Sequence, residues 1–198
     1  MQQETGRRSN RERSDETRER LIEAARRLFV DKSYAETGTP EIAREAGVTR
    51  GALYHHFADK QALFAAVVER EASTVADEIE RHTTTSSTAT IALIEGGEAY
   101  LKAMAAPGRT RLLLLDGPAV LGRSGMDEVD NRHGNRTLKQ GLEAAIKARQ
   151  IRDLPLDALT GLLGAAFDRA ALAIDAGADA EPYRTALAGL IEGLVPTP

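Results

Sequence analysis

Three features of the 198-residue sequence predict an all-helical chain of about nine helices with no strand. Apolar residues make up 42 % of the chain and aromatics only 4 %, so alanine and leucine carry the apolar content, a balance that favours helices over sheets. Apolar residues recur at helical spacing in one segment after another. Gly, Pro and capping residues punctuate those segments where helices start and stop.

Residues 1–13 are polar and offer nothing to bury, which predicts a flexible arm. Ser14 is placed to cap the first helix, with Asp15 and Glu16 opposing its dipole and Leu21, Ile22, Ala25, Leu28 and Phe29 on one stripe. Thr39 and Pro40 open a short second helix that Gly47 stops. A third runs from Thr49 to about His56. Asp59 caps a long fourth helix carrying Leu63, Phe64, Val67, Val68, Ala72, Val75 and Ile79. Thr83 to Thr90 reads as a loop. A fifth helix then runs to about Ala106 and a sixth to Leu115, stopped by Gly117-Pro118, with 119–123 as loop. Ser124 and Asp127 at capping-box spacing open a seventh helix through Leu138, Leu142, Ala145 and Ile146. Pro155 opens the eighth, and Asp179 to Leu194 forms the ninth.

Composition excludes several classes. No apolar run approaches the ~18–20 residues that span a bilayer. The first residues lack the apolar stretch of a signal peptide, which places the expectation in the cytoplasm. With no cysteine there is no disulfide framework or thiolate metal site. Net charge is −4, unlike a protein that coats nucleic acid at large. Basic residues number twelve against eleven acidic ones up to residue 60, and fourteen against nineteen beyond it. That asymmetry is too mild to carry an argument.

The informative segment is Glu41-Ile42-Ala43-Arg44-Glu45-Ala46-Gly47-Val48-Thr49-Arg50-Gly51-Ala52-Leu53-Tyr54-His55-His56-Phe57. It reads as two short helices meeting steeply at Gly47, with Val48 and Leu53 anchoring the second on Ile42 and Ala46. The second helix then turns small and polar residues outward, as a DNA-recognition helix must. Gly51 and Ala52 give clearance at base edges. Arg50 offers a two-pronged donor to guanine O6 and N7, or alternatively a phosphate contact. Thr49, Tyr54 and His55 offer donors to the DNA backbone, and Lys60 adds a cation at the start of the next helix. Arg7, Arg8, Arg11 and Arg13 form either a minor-groove arm or a solvated tail.

Thr17 to Arg70, and above all Gly47 to Phe57, resembles the DNA-binding domain of the tetracycline-repressor (TetR) family. One departure is Gly38-Thr39-Pro40, where that family usually has Ser or Thr, an apolar residue and a variable one. The resemblance implies a three-helix DNA-binding domain, here 14–60 after the arm 1–13, and a helical ligand-binding and dimerisation domain, 61–198. Position by position it puts Arg50, Gly51 and Ala52 near bases and Thr49, Tyr54, His55 and Lys60 near phosphates. It further implies a ligand-responsive regulator, a repressor, that binds a palindromic double-stranded DNA operator as a homodimer and is released by a small-molecule effector. No cofactor or metal is expected. Leu112 to Gly122 resembles a segment of one subgroup, which bears on architecture alone.

Enzymatic readings fail on spacing. His55 and His56 are adjacent, so they point about 100° apart on a helix and cannot chelate one metal. Gly122-Arg123-Ser124-Gly125 brings its second glycine one residue too early for a nucleophile elbow. A helical protein that binds a protein partner remains the other alternative, separable by retention on operator DNA. Candidate pocket residues are Leu101, Met104, Leu113, Asp116, His133 and Phe167. The last two helices are apolar more than halfway round, which predicts a two-fold four-helix interface through Leu159, Leu163, Ala166, Ala170 and Ile174 with Leu187, Leu190, Ile191 and Leu194.

Overall fold

A computed structural model describes residues 10–83 and 86–196. Among them nine α-helices and one π-helical stretch follow in order, with no strand: α1 (Asn10–Lys32), α2 (Thr39–Glu45), α3 (Arg50–His56), α4 (Lys60–Thr83), α5 (Ala89–Met104), the π-helical stretch Arg111–Asp116, α6 (Gly117–Arg132), α7 (Gly134–Lys147), α8 (Leu156–Asp175) and α9 (Ala180–Glu192). They form two compact units whose boundary falls inside α4, between Val67 and Val68.

In the first unit, α1 buries Leu21, Ile22, Ala24, Ala25, Leu28 and Phe29 on one face. Ile42, Leu53, Leu63 and Phe64 meet that face and are fully buried. Phe29, Phe64 and Tyr34 close the centre as an aromatic cluster, with ring centroids 5.0–5.6 Å apart. Burying Phe29 and Phe64 stabilises the unit by roughly 2–3 kcal/mol each. The helix already runs at Asn10, so Ser14 is not its cap. Arg and Glu are good helix formers, and the exposed turn from Asn10 to Arg13 continues the amphipathic helix that the buried stripe anchors. The rest of the proposed arm, with Arg7 and Arg8, lies outside the described residues.

In the second unit α5 packs on α7, α8 and α9, and α7 packs on α8. The core includes Leu93, Met104, Leu112, Leu142, Leu163, Phe167 and Ile191. Gly97 has a packing reason: a Cβ there would meet the Phe167 ring at 2.6 Å. Arg109, in the turn after α5, is buried and ion-paired to Glu71 (2.9 Å) and Glu78 (3.4 Å) of α4.

Two expected helix ends are corrected. Gly117-Pro118 does not stop a helix, and 119–123 is not a loop. The Gly117 N–H reaches back five residues to Leu112 O, and the chain passes from the π-helical stretch straight into α6. Pro118 has no N–H for the carbonyl four residues earlier, and widening the preceding turn relieves its ring. The interruption comes at Gly122, whose φ of 74° breaks α6 internally. Ser124 and Asp127 therefore lie within α6, and a second break at His133 separates α6 from α7.

Candidate DNA interface and ligand cavity

The α2–α3 turn is built by Gly47, whose φ of 63° lies in the left-handed region. Its N–H donates to Arg44 O and that of Val48 to Ala43 O, at 3.0 and 2.9 Å, which satisfies the last carbonyls of α2. Arg20 of α1 donates to the carbonyls of Ala46 and Gly47. A cation therefore sits at the negative end of α2 and locks α1 to the turn. Arg20 went unremarked in the sequence because it is one of many arginines on the polar face of α1.

Thr49 caps α3 by accepting from the Ala52 N–H (3.1 Å). Its hydroxyl is thus a helix cap first, and a phosphate contact from Thr49 has to use what remains. Leu53 is fully buried, while Arg50, Gly51, Tyr54 and His55 are exposed and Ala52 half-exposed. The outward face of α3 is therefore the small and polar one. The Tyr54 hydroxyl hydrogen-bonds Thr39 Oγ1 at 3.0 Å, so Thr39 is not the cap of α2. That cap is Gly38, with no side-chain hydrogen bond. The Thr39 hydroxyl, with the Arg50 guanidinium beside it, holds the Tyr54 phenol below its usual range, suiting it to a strong hydrogen bond. His56 turns inward: burial, then the charges of His55 and Arg18, holds its imidazole below the usual value.

Lys60, expected near phosphates, is engaged within the protein. Its ammonium donates to Tyr34 O (2.9 Å) and Thr37 O (3.0 Å) and lies 4.1 Å from the centre of the Tyr34 ring. It fastens the α1–α2 connection to the start of α4, and two of its three donors are spent there. Lys60→Ala is expected to destabilise the unit by about 1–3 kcal/mol in chemical denaturation and to leave the salt dependence of DNA affinity unchanged. A salt slope lowered by about one would return Lys60 to the phosphates.

The second unit holds a partly open cavity of about 460 Å³, within the range of small-molecule sites. Of the six pocket candidates, Met104, Leu113 and Phe167 line it. Leu101 faces Leu187 and Ile191 of α9 instead. Asp116 pairs with Arg111 (3.3 Å), and His133 Nε2 lies 2.6 Å from Glu69 Oε1, beside an Arg132–Glu69 pair. Asp116 is thus taken by an ion pair with Arg111 and His133 by its contact with Glu69, and neither lines the cavity. The sequence reading missed Tyr100, Asp127, Asp130 and Asp168, all on the cavity wall. The available signal was Asp168 directly after Phe167 on a helix otherwise rich in Ala and Leu. Tyr100 donates to Asp168 Oδ1 at 2.6 Å. Burial pushes the Asp168 carboxyl up against that bond. Burial, with the charges of Asp168 and Asp127, takes Asp130 to about 6.

The interface stripe is also corrected. Leu163, Ala170, Leu187, Ile191 and Leu194 are buried inside the protomer, and Leu159, Ala166 and Ile174 are half-buried. Of the nine only Leu190 is outward, at 53 % exposure, and it shares that character with Leu162 at 73 %. The inner faces of α8 and α9 serve α5 and α7, so most of the stripe expected at the two-fold interface lies on the inner side. Leu162, with exposed Gly161 and Ala165, marks the outer face of α8.

Among the described residues no helix is long and apolar enough to cross a membrane, and no three His, Cys, Asp or Glu are grouped so as to hold a metal.

Residues 21–67 match the family described as bacterial regulatory proteins, tetR family, and residues 90–196 match the tetracyclin repressor-like C-terminal domain. The HTH-type transcriptional regulator AcrR of Shigella flexneri is 40 % identical over 70 residues, 35 % of this chain and 33 % of that protein. The chain thus matches about a third of the length of that curated relative. A crystal structure of a TetR-family regulator from Pectobacterium atrosepticum is 28 % identical, covering 96 % of this chain and all of that one, with a TM-score of 0.74. FadR of Bacillus subtilis, solved with stearoyl-CoA, shares the fold at a TM-score of 0.76 and 16 % identity, covering 90 % of this chain and 99 % of that one. The second family match takes in more than half of the chain, and the chain belongs to the TetR family of bacterial transcriptional regulators, with that family's DNA-binding domain at residues 21–67.

Proposed function

We propose that this chain is a one-component, ligand-responsive repressor. It binds a near-palindromic operator as a two-fold dimer and leaves it when a small molecule fills the cavity of the second unit. The observation that carries this reading is the outward face of α3. Arg50, Gly51, Tyr54 and His55 are exposed on a helix anchored by the fully buried Leu53, while a separate helical unit holds a ligand-sized cavity.

Arg50 reads a base and Tyr54 and His55 grip phosphates. The outer face of α8 and α9, through Leu162 and Leu190, meets its symmetry mate, the self-complementary contact of a two-fold dimer. The half of α4 from Val68 onward belongs to the second unit and lines the cavity at Val75 and Ile79. A ligand that moves those residues acts on the same helix that begins beside α3. The coupling expected of such a device is about 1–3 kcal/mol.

The test is Arg50→Ala on an operator and on its single-base variants. The expected cost on the cognate site is about 1–3 kcal/mol, with preference relaxed at one base pair per half-site. Unchanged relative affinities across all variants would remove Arg50 as a reader.

A further inference from the structure

We propose that the cavity selects a lipophilic organic cation, a compound with an apolar body and a protonated amine or quaternary ammonium seated between Asp130 and Asp168. The inference rests on reading this cavity as the effector site.

The walls supply the apolar half. Leu93, Met104 and Leu113 line the cavity with Phe167 and Tyr100, whose rings meet edge-on with centroids 5.9 Å apart. Such rings attract a cation as well as an apolar chain. The charges supply the other half. Asp127 and Asp130 come from α6, Asp168 from α8, Glu80 from α4 and Arg123 from α6. Glu80 is engaged by Arg136 at 2.9 Å, which leaves three carboxylates facing one guanidinium.

Those carboxylates are poorly served by the protein. Asp168 accepts only the Tyr100 hydroxyl. The Asp130 side chain accepts no hydrogen bond from any described residue, and His133, the one group drawing its carboxyl down, is itself bonded to Glu69. With its carboxyl at about 6, Asp130 is ionised at neutral pH and stands partly desolvated beside a second carboxylate. A buried charge without a partner is costly, and a cationic ligand removes that cost. An anion would meet three carboxylates against the single guanidinium of Arg123, and a neutral apolar ligand would desolvate the carboxylates further. The three carboxylates share a cavity without meeting metal-ligand geometry: among the described residues no three His, Cys, Asp or Glu are placed to hold one metal ion.

Isothermal titration calorimetry on the full chain at neutral pH tests this with three probes of one shape: phenylbutylamine, phenylbutanol and phenylbutyrate. The amine is expected to bind at least about tenfold more tightly than the alcohol, with the acid weakest. Asp130→Asn and Asp168→Asn should each bring the amine down to the level of the alcohol and leave the alcohol binding. The carboxamide oxygen of Asp168→Asn still accepts from Tyr100, so Tyr100 stays in place. If the alcohol or the acid binds as tightly as the amine, or the preference survives in both variants, the cation assignment falls while the cavity remains a ligand site. If none of the three binds at millimolar concentration, the cavity reading falls as well.

Discussion

Replacing Arg109 with Met is expected to destabilise the second unit by about 3–5 kcal/mol, the range for removing one partner of a buried ion pair. The side chains of Arg109 and Glu71 are only 8 % and 6 % exposed. The guanidinium also donates to Ala103 O at 2.6 Å, the carbonyl of the last turn of α5, so three acceptors lose their donor together. Met keeps the volume, and the loss therefore reports charge and hydrogen bonding rather than a cavity. The double variant Arg109→Met, Glu71→Gln should recover part of the loss, because the carboxylate deprived of its guanidinium is then gone. Urea denaturation followed by circular dichroism measures both. A loss under about 1 kcal/mol, or no recovery in the double variant, would show that this pair contributes no more than a surface one. The same contact fastens the later half of α4 to the turn after α5, so Arg109→Met should also weaken any communication through α4.

Asp130→Asn is expected to stabilise the protein, and only above acidic pH. The Asp130 carboxyl is raised from its ordinary 3.8 to about 6 by burial first, then by Asp168 and Asp127. Between those values the folded chain holds a proton that the unfolded chain has released. Stability therefore falls as pH rises through the window, and the penalty is complete above it. A shift of about two units corresponds to roughly 3 kcal/mol. Asp168 faces the same site and shares the repulsion, so the single variant should recover about 1–2 kcal/mol at neutral pH. At pH values near 3.8 and below, wild type and variant should converge, since both then carry a neutral side chain. Melting temperatures across that range check it. A variant no more stable than wild type at neutral pH, or equally stabilised in acid, would contradict the burial of an ionised Asp130.

The DNA-binding half was legible because its constraints are local. Gly47 at a left-handed turn, Leu53 buried opposite an exposed Arg50 and Tyr54, and Asp59 capping α4 are all read along a few consecutive residues, and the structure places each as the spacing implies. Lys60 was not legible, because its partners Tyr34 O and Thr37 O are backbone atoms more than twenty residues away. In the second unit the outer and inner faces of α8 are both built from Leu, Ala and Gly. Periodicity finds the helix there, yet it cannot say that Leu163 goes in and Leu162 out. Gly117-Pro118 predicts a stop because the usual response to proline is to end a helix, whereas this chain widens one turn and continues. The cavity carboxylates come from α6 and α8, and no linear spacing brings Asp130 to Asp168.

Selection of random double-stranded DNA by the purified full chain, with the stoichiometry of the enriched complex measured by sedimentation, tests dimeric operator binding most directly. Two outward α3 helices related by two-fold symmetry should enrich a near-palindrome with half-sites about 34–36 Å apart or a little more, bound by two protomers or a multiple of two. No enriched sequence, or an asymmetric site bound by a single protomer, would contradict the dimeric operator-binding repressor.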